Sequence, residues 1–298
     1  PFGELQAATN GLKQLADPVY SSIVAVLKVV REHTSLTPGW PQPPAIPGAS
    51  AAVKDAAGKL LGKVITPTPV DIEFRELNQL MVQTEQQPAG INDILTALKE
   101  LHGYFNDMAV APNPNEAIFA AAKERYSGNA ADPLRKIRVL ASNAPTPVNL
   151  WLTESANHIW GVMLGGAKGH LNASWKKEVA DKFNSTLASR YPLRAGGSEA
   201  SQEDFNNFFM PGGVEQAFVQ ANVKPFLDSS GRTKAVEGQS LGISSDALAQ
   251  IRTADTIRTA FFAGGQENGT SFRIRPVTLD TAVGRFELQL GDQRFEYT

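Results

Sequence analysis

The sequence predicts an α+β fold, a predominantly helical array followed by a small antiparallel β segment. Three observations carry this. Apolar residues recur at helical spacing over most of the chain, as in Ile91, Ile94, Leu95, Leu98, Leu101, Phe105 and Met108. Helix starts recur as a capping residue followed by proline, at Asp17-Pro18, Asp132-Pro133 and Thr146-Pro147. Near the end the period changes from helical to two, in Phe272-Arg273-Ile274-Arg275, Arg285 to Leu290 and Gln293 to Tyr297.

Residues 1–32 read as helical. Leu5, Leu12, Leu15, Val19, Val26 and Val29 fall close to one heptad stripe. Asp17-Pro18 reads as a helix start within it, giving two helices or one kinked helix. Residues 34–49 hold five prolines and two glycines. Proline removes a donor and fixes φ, so this stretch is a loop or linker. Residues 50–145 read as short helices, with Pro112 and Pro114 ending one and opening the next. From Val148 to about Ser189 two helices are expected, broken at Gly165-Gly166; Trp151, Trp160 and Met163 lie on the first, Trp175, Val179, Phe183 and Leu187 on the second.

Helices are expected over 201–209 and 214–223 with Pro211-Gly212-Gly213 between them, then a polar loop over 228–243. Ser244 or Ser245 caps a last helix carrying Leu248, Ile251, Ala254, Ile257 and Phe261, which Gly264-Gly265 closes. In the strands, Phe286, Leu288, Leu290, Phe295 and Tyr297 are expected to share the buried face, with Gly291-Asp292 as the turn. Arg285, Glu287, Gln289, Arg294 and Glu296 point outward and are the candidate partner-binding residues. Two or three strands are marginal alone, so they read as the opening of a larger sheet or as packed on the helices. The expected division is a helical domain over 1–190, a helical subdomain over 191–266 and an incomplete β-domain over 267–298.

Composition narrows the function. The net charge is −2 and no run of Lys or Arg exceeds two residues, which removes a general case for nucleic-acid or anionic-membrane binding. With no cysteine, disulfides, thiolate metal sites and a Cys nucleophile are excluded. No uninterrupted apolar stretch reaches the length of a membrane span. The chain begins without Met, in mid-pattern, and reads as part of something longer.

The search for chemistry returns little. Gly161 to Lys168 is the nearest approach to a phosphate-binding loop, but Ala167 stands where Lys is needed, Lys168 stands where Ser or Thr is needed, and the segment follows a helix. His33, His102, His158 and His170 include no pair at i, i+4, so no metal site is expected. Gly196-Gly197-Ser198-Glu199 lacks the strand–turn–helix setting of a nucleophile elbow. Glu203-Asp204 and the pair Glu73 and Glu76 are explained as helix N-terminal charge and solvated faces. No cofactor is implied.

One ordered set of residues is more specific. Arg190-Tyr191-Pro192 is followed by Asp204-Phe205, Phe208-Phe209, Pro211-Gly212-Gly213-Val214, Phe218 and Lys224-Pro225-Phe226-Leu227. Ile257-Arg258, Ala260-Phe261-Phe262, Gly264-Gly265, Phe272 and Pro276 to Asp280 complete it. As a set it resembles the C-terminal periplasmic part of the IcmF-like TssM family of bacterial type VI secretion. The resemblance implies a non-catalytic scaffold in the periplasm, belonging to a protein anchored in the inner membrane. It implies docking to the outer-membrane lipoprotein TssJ, assembly with the inner-membrane protein TssL and self-association in the core complex. It also implies that most of the terminal β-domain is missing here, and no direct membrane contact is expected of this segment. Two other readings of the residues are an envelope hydrolase of helical fold, requiring a converging acid or histidine pair, and a helical solute-binding module, requiring an apolar pocket among Trp151, Trp160 and Trp175.

Overall fold

A computed structural model describes residues 2–35, 68–84, 89–128, 132–263, 280–290 and 293–297. The linker read over 34–49, the Gly264-Gly265 helix end, the alternation at 272–275 and the Gly291-Asp292 turn lie wholly or mostly outside these residues.

The chain opens with α1 (Phe2–Ala16) and α2 (Ser22–Thr34). These are two helices, but Asp17-Pro18 does not start the second. The Asp17 carboxylate instead accepts from the amides of Val19 and Tyr20 and holds the turn, and Ser21 caps α2. The heptad stripe breaks at this turn. Leu5 and Leu12 are buried, whereas Val19 is 74% exposed and Val26 and Val29 face outward. On α2 it is Ile23, Val24 and Leu27 that enter the core.

Two short helices, α3 (Pro69–Glu73) and α4 (Arg75–Leu80), lead to α5 (Gly90–Ala109). All seven apolar residues read as the α5 stripe are buried. Then α6 (Pro114–Tyr126) is capped by Asn113 and α7 (Pro133–Asn143) by Asp132, whose carboxylate accepts from Arg135 N at 2.6 Å. In both, proline fills the first helical position.

The longest element is α8 (Val148–Trp175). Thr146 does not cap it; Pro147 is the residue before its first turn, and no side chain caps it. The expected break at Gly165-Gly166 is absent, and the helix runs through both glycines. Gly166 serves packing instead. A Cβ on Gly166 would lie 3.2 Å from the Ile118 side chain of α6, so its lack of a side chain lets the two helices approach closely.

Beyond Trp175 the rod continues through a π-helical turn, Lys176–Ala180, into α9 (Asp181–Thr186). The spacing explains this turn. Leu171, Trp175, Val179, Phe183 and Leu187 follow at steps of four. Each such step advances about 40° around a straight α-helix, so four of them would carry Leu187 to the opposite side. A wider turn slows that drift, and Leu171, Val179 and Leu187 are all buried. A second π turn, Val219–Val223, follows α11 (Val214–Phe218), itself preceded by α10 (Gln202–Phe209). Phe218 packs edge-on against Trp175 at 5.4 Å between ring centroids, joining the two π turns.

After a 3₁₀ turn at Lys224–Phe226 the chain crosses back over the bundle as a strap, residues 227–243, before α12 (Ser245–Phe261), capped by Ser244. The strap is ordered by its own polar groups. Asp228 accepts from Ser230 and Arg232, and these bonds hold its carboxyl below the usual range, the Ser230 hydroxyl contributing most. Helices on both sides of residue 190 share one hydrophobic core, from Leu5 to Phe262.

The final element is a hairpin of β1 (Phe286–Leu290) and β2 (Gln293–Tyr297), antiparallel, with Phe286 opposite Tyr297 and Leu288 opposite Phe295. The strands and register match the alternation. Burial does not: Phe286 is 40% and Phe295 50% exposed, because a two-stranded sheet has nothing of its own to cover its apolar face. The side chains of Leu290 and Tyr297 lie outside the described residues.

Two glycines test this packing. At Gly213 a Cβ would meet the carbonyl oxygens of Phe208, Asn207 and Met210 at 2.8–2.9 Å, all backbone. Gly213→Ala should therefore destabilise by about 1–3 kcal/mol. Gly165 sits mid-helix with nothing within 4 Å, so Gly165→Ala should stabilise by about 0.5–1 kcal/mol. Urea unfolding midpoints should move in opposite directions.

Candidate functional site

The hairpin places Arg285, Glu287, Arg294 and Glu296 on its polar side, and all four are exposed. The register sets Glu287 directly opposite Glu296, a like-charge pair that would be unfavourable alone. The arginines resolve it. Arg285 reaches Glu296 at 2.8 Å and Glu287 at 3.6 Å, and Arg294 pairs with Glu287. Gln289, opposite Arg294, is also exposed. The four charged candidates form a self-neutralising lattice on a small sheet. Among the described residues the sheet has two strands, and Phe286 and Phe295 are exposed on its other face.

Two ionic clusters, each built on a buried arginine, lie elsewhere, and neither was read from the sequence. The first centres on Glu237. Its Oε1 lies 2.5 Å from Arg125 Nη2 and its Oε2 2.5 Å from Arg138 Nε, so one carboxylate bridges α6 and α7. Arg125 also approaches Asp132 at 3.3 Å, and its guanidinium sits 4.6 Å from the Trp160 ring centroid. Glu237 has φ +54 and Gly238 φ +80, with Val236 and Gln239 exchanging both backbone hydrogen bonds. That is a two-residue turn with positive φ at both centres, a geometry disfavoured for Glu. Around it, Trp160 Nε1 donates to Val236 O at 3.0 Å and Tyr126 Oη to Gln239 O at 3.3 Å. Gln239 Nε2 donates to Asn157 O, and a Cβ on Gly161 would lie 3.3 Å from Gln239 Oε1. Within the 161–168 segment, Gly161 thus accommodates the strap and Gly166 accommodates α6. The one sequence signal for this hub was the Glu237-Gly238 dipeptide within a stretch read only as polar loop.

The second cluster joins α12 to the end of α10 and the first turn of α11. Arg258 donates to Phe209 O at 3.2 Å and pairs with Glu215 and Asp255. Glu215 is 3% exposed, and burial pushes its carboxyl above the ordinary range against the opposing pull of Arg258.

The remaining sequence candidates do not converge. His158 and His170 sit on the same unbroken helix, twelve residues and about 18 Å apart along its axis. His158 lies beside α1, while His170 contacts Ser174 and the Phe119 ring. Glu203-Asp204 occupies the first turn of α10, where Asp204 accepts from the Ser201 hydroxyl that caps it. Trp160 is sealed, Trp175 borders a crevice beside α12, and Trp151 lines neither of the two depressions described, so the three tryptophans do not share a pocket there. Phe205, Phe208, Phe209, Phe261 and Phe262 pack on one another. Among the described residues no group of three or more acids or histidines is arranged to hold a metal ion, and no helix is long and apolar enough to cross a membrane.

With this geometry in view, the relatives define a class. Residues 166–267 match the family model of the type VI secretion protein IcmF helical domain, a span running from mid-α8 through the second ionic cluster. Over its whole length the chain is 28% identical to the type VI secretion system component TssM1 of Pseudomonas aeruginosa. The chain is thus similar to a TssM protein along its whole length, in keeping with the resemblance carried by the ordered residues from Arg190 to Asp280. Two solved structures share the fold. One is a type VI membrane complex, with a TM-score of 0.64 and 18% identity over 97% of this chain and 54% of that one. The other is a type VI secretion system membrane core complex, with 0.56 and 19% over 81% and 51%. The chain spans 28% of the length of TssM1 and about half of each solved chain.

The second ionic cluster yields a stability test. Glu215→Leu alone leaves the Arg258 guanidinium buried without its main counter-charge and should cost about 3–5 kcal/mol. Adding Arg258→Met should recover most of that loss, because two apolar side chains need no pairing. A double-mutant cycle by chemical denaturation reads both values.

Proposed function

We propose that this chain is a non-catalytic structural segment of a type VI secretion membrane complex. In this reading it lies in the periplasm and belongs to a protein anchored in the inner membrane. It links that anchor to the outer-membrane lipoprotein TssJ, assembles with TssL and self-associates. The observation that carries the proposal is the similarity to TssM1 along the entire chain, supported by the shared fold of two membrane-complex structures.

Within this reading, Arg285, Glu287, Gln289, Arg294 and Glu296 contact the partner. The physical argument is one of low cost. Exposed ion pairs contribute about 0–1 kcal/mol each, so a partner can exchange them for its own at little expense. The exposed Phe286 and Phe295 offer apolar contact on the same small element. The sheet is then completed by further strands of the β-domain that the resemblance implies.

The test is co-purification of TssJ with the tagged chain and with a longer form carrying that β-domain. TssJ should be retained by the longer form, and Arg285→Glu with Arg294→Glu should reduce retention at least severalfold. Equal retention by the variant would remove the hairpin from the site. Failure of both forms to retain TssJ would remove the partner assignment itself.

A further inference from the structure

A crevice beside α12 has the chemistry of a second docking site, distinct from the hairpin. It opens between the rod of α8, the second π turn and the start of α12, with a volume near 220 Å³. Its floor is apolar, formed by Leu171, Trp175, Leu241 and Ile251. No Asp or Glu lines it, and its one charged lining residue is Lys168. The Lys168 ammonium lies over Gly242, 3.3 Å from where a Cβ would stand. Gly242 has φ +69, so a side chain is disfavoured there on conformational grounds as well as by the lysine. Among the described residues no carboxylate pairs with Lys168, although the buried arginines of this fold are all matched.

Size selects the occupant. An apolar cavity of about 150 Å³ holds a benzene ring, whereas pockets for drug-sized molecules run from about 300 Å³ upward. This crevice fits a single aromatic or branched side chain. Charge selects its neighbour, because a cation at an apolar mouth favours a carboxylate beside the inserted group.

We propose that the crevice receives one apolar side chain, flanked by an Asp or Glu, from a segment of a partner protein. The anchor fills the floor beside Trp175 while the acid pairs with Lys168. The site does not depend on the hairpin or on the identity of TssJ.

The test is a titration of the isotopically labelled chain, followed by backbone amide NMR, with the capped peptide Gly-Phe-Glu-Gly. Saturable shifts should centre on Gly242, Ala247 and Ile251. Affinity should fall about two- to fivefold when Glu is replaced by Gln in the peptide, or with Lys168→Gln in the protein. Gly-Ala-Glu-Gly should give no saturable shift at these amides. The proposal is overturned if the Phe-Glu peptide gives no saturable shift there up to its solubility. It is also overturned if Lys168→Gln leaves binding unchanged, or if the Ala peptide binds equally.

Discussion

Glu237 sets one carboxylate between arginines from two different helices and does so from a backbone conformation that Glu disfavours. A positive φ at a non-glycine residue costs on the order of 1 kcal/mol or more and persists only where the surroundings over-determine it. Here they do. Arg125 and Arg138 hold the carboxylate, Trp160 and Tyr126 hold the carbonyls on either side of the turn, and Gln239 reaches Asn157. Removing the carboxylate would leave Arg125 with only Asp132 and the Trp160 ring, and Arg138 with only Asn157, while the positive φ at position 237 would remain. The strap from 227 to 243 is thereby tied to α6, α7 and α8, and it leads directly into α12. The position of α12, its ionic cluster with Glu215 and the crevice at its start all depend on where the strap is held.

The two π turns serve the same end by a different route. Steps of four along α8 and α9 keep one apolar stripe facing the core only if the helix widens after Trp175. The wider turn sets the Trp175 ring against Phe218, at the entrance of the second π turn. The helices before residue 166 and the stretch similar to the IcmF helical domain share one hydrophobic core.

The parts of this fold legible in the sequence were those set by local rules. The α5 stripe, the Asp132-Pro133 start, the Ser244 cap and the hairpin strands follow from period and capping chemistry between residues a few positions apart. The parts that were not legible depend on partners far away in the chain. Gly165-Gly166 reads as a break until Ile118 is seen packed against Gly166. The Val19, Val26 and Val29 stripe reads as core until the Asp17 turn rotates α2. Glu237 reads as loop charge until Arg125 and Arg138, over a hundred and about a hundred positions away, are brought beside it. The candidate site divides the same way: alternation placed Arg285, Glu287, Arg294 and Glu296 on one face, but not their mutual neutralisation or the exposure of Phe286 and Phe295.

Amide hydrogen exchange on the wild-type chain and on Glu237→Ala tests the central role of this carboxylate most directly. In the wild type the bonded amides of Val236 and Gln239 should be protected together with the helices beneath them. In the variant their exchange should accelerate by about a hundredfold, while amides in the middle of α5 keep their protection. Unchanged protection at Val236 and Gln239 in Glu237→Ala would show that the strap is held without the carboxylate and would contradict the account.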